Sequence, residues 1–177
     1  MIILGVTGSV GMGKTEACKY FKKKNIDVFD CDKEIASFYN KRETIIKIKR
    51  KFPSTIFKNK VDKNALAEIV FRDTKKLKYL EKLFHKKLQA EQFFWLRKKI
   101  REKKKILVFD VPLLFEKDNI KKYDIILVIS CKKNVQRIRV LKRKGWNKDR
   151  LEKTLKRQIP DYKKHAMADI IIKSDRG

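Results

Sequence analysis

Gly8-Ser9-Val10-Gly11-Met12-Gly13-Lys14-Thr15 decides how this 177-residue chain is read. The stretch fits G-x-x-x-x-G-K-[ST], and each residue type meets one requirement of anion binding. Glycines let successive backbone N–H groups turn toward one anion without a Cβ in the way. A helix opening at Lys14 presents its positive N-terminus to phosphates. Lys14 reaches the β- and γ-phosphates of ATP, and the Thr15 hydroxyl ligates Mg2+. Gly8, Gly11, Met12, Gly13 and Glu16 complete the expected ATP seat. The competing reading is a structural glycine turn. The flanks argue against it: the apolar run Ile2 to Val6 reads as a buried strand, and Lys14 to Lys24 places Ala17, Tyr20 and Phe21 on one helical face.

Working outward, further strands are expected at Ile26–Phe29, Ile106–Phe109, Ile125–Ile129 and Ile170–Ile172. Between the second and third lies a helical stretch. Asp62 is placed to cap a helix through Leu66, Ile69 and Val70, and Asp73 a longer one carrying Leu77, Leu80, Phe84, Leu88 and Trp95. Asn134 to Arg143 is amphipathic, with Val135, Ile138 and Leu141 on one stripe, and Asn147 is placed to cap a helix over Lys148–Gln158. Strands alternating with helices imply an α/β fold: a five-stranded parallel sheet with helices on both faces and a helical, substrate-covering insertion.

Ligands of such sheets bind beyond the carboxyl ends of the strands. Asp30 and Asp32 follow the second strand, and Asp110 follows the third. One carboxylate there suits a base for an acceptor hydroxyl, and Asp110 suits a magnesium partner through water. The competing roles are a helix cap at Asp32 and a plain strand terminus at Asp110.

The formal net charge of +27 points either to a nucleic-acid-binding face or to a lysine-rich version of an ordinary enzyme. Lysines populate every segment and gather around no RNA-binding aromatic signature, so no specific nucleic-acid partner is expected. The longest apolar runs are strand-sized, so no membrane partner is expected either. The apolar start runs straight into the glycine turn, unlike a signal peptide. Cys18, Cys31 and Cys131 form no Cys-x-x-Cys pair and fit a cytoplasmic protein with buried thiols.

The chain resembles the dephospho-coenzyme A kinase family. Leu4 to Thr15 looks like that family's opening, and Val28-Phe29-Asp30-Cys31-Asp32 like its V-x-D-A-D. Lys60-Val61-Asp62 with Leu66 and Ile69-Val70-Phe71 is similar to its V-D-R segment. Asp110-Val111-Pro112-Leu113-Leu114-Phe115-Glu116 is similar to its D-x-P-L-L-F-E, the most diagnostic phrase. Gln136-x-x-Arg139-x-x-x-Arg143, Arg157-Gln158 and Ala168-Asp169 follow in order. The resemblance implies a P-loop kinase that phosphorylates the ribose 3′-hydroxyl of dephospho-coenzyme A with ATP. It implies Asp32 as the base, and acceptor contacts at Thr7, Asp32, His85 and Leu114. It also implies a single domain with a core of 1–32, 106–138 and 159–177, an acceptor-binding insertion over 33–105 and a lid over 139–158. Arg139 and Arg143, four apart and so on one helix face, are expected to grip ATP phosphates from the lid side. A monomer is expected. The chain departs from the family at Lys60 for glycine, at Lys86 for the proline after histidine, and at Lys173-Ser174 for Asp-Asn after the last strand. Two rival functions are a shikimate- or nucleotide-type kinase on the same scaffold and a nucleic-acid-binding P-loop ATPase.

Overall fold

The first strand, β1 (Ile2–Thr7), is followed by the glycine-rich loop and helix α1 (Lys14–Lys23). Then come β2 (Asp27–Asp30), α2 (Cys31–Phe38) and α3 (Arg42–Lys51), a short hairpin of β3 (Ile56–Phe57) and β4 (Lys60–Val61), α4 (Lys63–Phe71) and α5 (Thr74–Arg101). The chain continues with β5 (Ile106–Asp110), β6 (Ile125–Ser130), α6 (Lys133–Leu141), α7 (Lys148–Lys156), α8 (Asp161–Ala166) and β7 (Ile170–Lys173). These assignments come from a computed structural model that describes residues 1–116 and 120–175. Residues 117–119, within the expected core segment 106–138, and 176–177 lie outside the described residues.

The described chain falls into two compact units: Met1–Asp30 with the chain from Lys99 onward, and Cys31–Lys98. No linker marks either boundary. At the first a strand runs directly into a helix, and the second lies inside α5.

In the first unit all five major strands are parallel, in the order β2-β5-β1-β6-β7. The five runs expected to be strands are all present, each within a residue or two. The central strands β5, β1 and β6 read as apolar runs because both of their faces are covered, whereas the edge strand β7 is apolar yet exposed at all four residues. Val6, Val108, Leu127 and Ile129 pack with Cys18 of α1 on one face, and Ile126 and Val128 pack with Leu114 and Phe115 on the other. Along β6 the two sets alternate, as the strand period of two requires. Two aspartates set strand positions by the same device. Asp124, just before β6, accepts from the Ile3 N–H at 2.8 Å, and Asp169, just before β7, accepts from the Ile126 N–H at 2.7 Å.

Two helical stripes differ from expectation. Tyr20 is exposed on α1, and Cys18 is buried in its place. In α6 the buried residues are Gln136 and Val140, while Ile138 is exposed. Apolar spacing alone misses this, because a polar side chain with buried backbone partners takes one position of the inward face.

The second unit has its own core of Phe38, Ile48, Phe52, Leu66, Val70, Leu80 and Phe84. Leu77 and Leu88 pack against it, so the stripe on α5 follows the expected spacing. Asp62 caps α4 by accepting from the N–H groups of Asn64 and Ala65, and Asp73 accepts from those of Lys75 and Lys76. The hairpin turns at Lys58 and Asn59, both with positive φ, a requirement that a Lys-Asn pair signals only weakly.

Candidate active site

The crevice of an open parallel sheet lies at the carboxyl ends of its strands, where the order reverses. In this order that place is β1, flanked by β5 and β6. The glycine loop leaves β1 there. Gly13 is the N-cap of α1 with φ 92°, a left-handed conformation that a Cβ would strain. The N–H groups of Lys14 and Thr15 open the helix and have no intrahelical acceptor, so they and the helix dipole face an incoming anion.

Lys14 and Asp110, both largely buried, form an ion pair. Asp110 ends β5, in register with Asp30 at the end of β2 on one side and Val6 of β1 on the other. The strand-end carboxylate thus holds the loop's lysine across the sheet. Cys18, one turn along α1, lies against the same group. Burial pushes its thiol up to about 12, and the Asp110 carboxylate adds to the rise, so it is no nucleophile.

Arg139 lies over the end of the cradle. It donates to the Ser174 Oγ at 2.9 Å and the Ser174 carbonyl at 2.6 Å, and Ser174 Oγ donates to the Met12 carbonyl at 2.7 Å. A Cβ on Gly13 would stand 2.8 Å from that hydroxyl and 3.6 Å from an Arg139 nitrogen. Ser174, a departure from the family's residue after the last strand, is therefore built into the loop's support. Sequence reading singled it out only as a departure from the family pattern and did not foresee its bonds to Arg139 and Met12.

Other expected residues have different places. Leu114 is fully buried between the sheet and Tyr123, where a Cβ on Gly5 would meet both at under 3 Å. Thr7 is fully buried, its hydroxyl donating to the Pro112 carbonyl at 3.4 Å. Both side chains pack inside the first unit in this structure. The Met12 side chain is also buried, its sulfur accepting from the Cys131 N–H at 3.2 Å, so Met12 offers a ligand backbone alone. Thr15 and Glu16 are exposed, and Glu16 pairs with Lys19 at 2.8 Å. Arg143 lies beyond the end of α6, exposed in the following turn, so it does not share a helix face with Arg139. Gly145 turns the chain at φ 76°, three residues past the helix's C-cap Lys142. Asp32 lies in the first turn of α2 and His85 is exposed midway along α5, both within the second unit.

The phrase Asp110 to Glu116 ties several elements together. Asp110 holds Lys14, the Pro112 carbonyl takes Thr7, and Leu114 and Phe115 fill the core. Glu116 accepts from the Ile159 N–H at 2.9 Å and pairs with the fully buried Lys164 at 3.0 Å.

A parallel sheet in this order, a glycine loop feeding a helix, and a lysine paired to a strand-end aspartate define a P-loop kinase. The sequence profile of the dephospho-CoA kinase family matches residues 2–177, and the chain belongs to that family. A dephospho-CoA kinase of Bartonella quintana is 34% identical over 176 residues, covering 99% of this chain and 90% of its own. The crystal structure of TT1252 from Thermus thermophilus superposes with a TM-score of 0.86 at 26% identity, covering 98% of this chain and 88% of that one. The dephospho-CoA kinase from Campylobacter jejuni shares the fold, with a TM-score of 0.73 at 24% identity and coverage of 99% and 89%.

Proposed function

We propose that this chain transfers the γ-phosphoryl group of ATP to the ribose 3′-hydroxyl of dephospho-coenzyme A, releasing coenzyme A and ADP. The observation that carries this reading is an intact phosphate cradle, with Lys14 poised on Asp110, inside a family match spanning nearly the whole chain. The hydroxyl oxygen bonds to the γ-phosphorus as the bond to the β,γ-bridging oxygen breaks. Asp32 takes the hydroxyl proton, and Lys14 leaves Asp110 to balance charge on the phosphates. Arg139, whose guanidinium lies beside Gly13, takes charge on the same oxygens.

The residues present fit a magnesium ion. Thr15 offers an exposed hydroxyl at the helix start, and Asp110 offers a carboxylate oxygen once Lys14 turns to the nucleotide. Among the described residues no three His, Cys, Asp or Glu gather as a metal cage, which suits an ion that takes its other ligands from phosphates and water. When bound, that ion would neutralise charge on the β- and γ-phosphates. His85 and the helical stretch 33–105 are assigned to the acceptor, and 139–158 to a lid. The reading includes a cytoplasmic, monomeric enzyme acting on two free polyanions; three buried cysteines outside any disulfide agree with a reducing compartment. Among the described residues no helix is long and apolar enough to cross a membrane.

ADP release measured with dephospho-coenzyme A against a panel of other hydroxyl acceptors tests the reaction. Turnover should depend on dephospho-coenzyme A. Equal release without any acceptor would make the chain an ATPase. Asp32→Asn should lower kcat by about 10²–10⁴ with KM for ATP little changed, as loss of a base does. A loss confined to thermal stability would reduce Asp32 to a favourable charge in the first turn of α2.

A further inference from the structure

The crown of the phosphate loop is held by side chains from two other elements. Val10 is half-buried at the top of the loop, between the glycines. Gln136 of α6 donates from Nε2 to the Val10 carbonyl at 2.7 Å, and Gln158, just past α7, accepts the Val10 N–H on Oε1 at 3.2 Å. The partners dictate the two amide orientations: a carbonyl requires the NH2 end, and an N–H requires the oxygen. Gln136 is buried on the inward face of its helix, a place where an amide is unfavourable unless bonded. One turn on, Val140 presses on the loop so closely that a Cβ at Gly11 would lie 2.4 Å from its Cγ2. Both glutamines stand in sequence phrases that the cradle, the magnesium site and the base do not use. In the chain they bracket residues 137–157, so both roots of that segment are fixed to one residue of the loop.

We propose that Gln136 and Gln158 are positioning residues for the phosphoryl donor: together they clamp Val10 and hold the crown of the cradle in its phosphate-receiving shape. The proposal rests on the reading of the cradle as an ATP site. The clamp acts on the seat of the phosphates and not on the nucleoside, and this separates it from general stabilisation. It also makes the two glutamines chemically unequal. A glutamate at 158 still accepts the Val10 N–H, whereas a glutamate at 136 sets a carboxylate against the Val10 carbonyl. Both substitutions add the same charge beside the same residue, and the lost hydrogen bond and the deeper burial at 136 both make it the costlier position.

The test is calorimetric binding of ADP with magnesium, and of adenosine, to the full chain and its variants. Binding of ADP by the unsubstituted chain comes first; its failure would condemn the cradle reading and not the clamp. Gln136→Met and Gln158→Met, near in volume, should each weaken ADP about 3–10-fold, the worth of one hydrogen bond. Adenosine should stay within about twofold. The double variant should fall short of the product of the singles, because both act on Val10. Gln136→Glu should bind ADP several-fold more weakly than Gln158→Glu, and the methionine variants keep the test readable if glutamate at 136 unfolds the chain. Equal losses for ADP and adenosine, equal effects of the two glutamates, or unchanged affinity with a lowered Tm would each overturn the clamp.

Discussion

Lys14 and Asp110 show why a single substitution in this site needs a partner. Removing Lys14 takes away the clamp on the β- and γ-phosphates and also leaves a buried carboxylate unpaired. The first effect should lower kcat at least about 10²–10³-fold, as loss of a preorganised donor does. The second should destabilise the fold by about 3–5 kcal/mol, lowering Tm by about 2–4 °C for each kcal/mol in a chain of this size. Lys14→Ala is therefore expected to be both inactive and less stable. Adding Asp110→Asn should recover much of the Tm, because a neutral amide tolerates the missing cation, and none of the turnover. Steady-state kinetics and thermal unfolding on the two variants separate the effects. Recovered turnover in the double variant would mean that Lys14 acts through Asp110 alone. At this scale residue types were legible and directions were not. The glycines, Lys14 and Asp110 could be read because their chemistry has few alternatives after a strand. The burial of Thr7 and Leu114 was not legible, because sequence cannot tell an inward side chain from one at the mouth of a site. The role of Ser174 was unread because a serine after a strand announces nothing until Arg139 is seen to bind it.

At the scale of elements, legibility followed burial. The strands of the first unit are apolar on both faces and stand out, and the caps at Asp62, Asp73 and Asn147 follow from local hydrogen bonding. The face of α6 was unreadable for the opposite reason. Its inward positions include Gln136, whose burial depends on a loop 126 residues earlier in the chain. Electrostatic ties between elements escape sequence reading in the same way. Glu43 of α3 accepts from Lys47 on its own helix and from Lys87 of α5, at 2.6 and 2.9 Å. These lysines hold its carboxyl down at about 2, from an ordinary 4.5. A carboxylate lowered on folding stabilises the fold above its unfolded value and loses that contribution as pH falls through the folded one. Glu43→Gln should therefore lower Tm slightly at pH 7. The gap from the unsubstituted chain should close between about pH 4.5 and 2, and added salt should shrink it, because the group is exposed. A gap independent of pH and salt would assign the residue to packing and not to charge.

For the whole molecule the governing feature is the charge of +27, from 48 basic and 21 acidic residues. Acidic groups are largely answered: Asp27 is bound by Lys99 and Lys104, Glu91 by Lys41, and Asp149 by Lys153. Some lysines also lie against aromatic rings. The ammonium of Lys41 lies 4.9 Å from the centre of the Phe38 ring, and that of Lys63 lies 4.9 Å from the centre of the Tyr39 ring. Over the whole sequence cations outnumber anions by more than two to one and create a field that draws anions. ATP and dephospho-coenzyme A are both polyanions, so their encounter should gain from that field without any specific contact. Exposed charges are screened beyond about 8 Å at physiological salt, whereas groups inside a closed site are screened far less. Raising the salt concentration should thus lower kcat/KM for both substrates while kcat stays nearly flat. Steady-state kinetics over a salt series in a non-chelating buffer reads both parameters at once. A kcat that falls in parallel with kcat/KM would place the salt-sensitive step in the chemistry and remove steering as the role of the charge. Mixed-sequence DNA or RNA should bind only at the non-specific level of about 10⁻⁴–10⁻⁶ M, and more weakly as salt rises. Nanomolar, sequence-selective binding at physiological salt would instead make nucleic acid a partner of this basic surface.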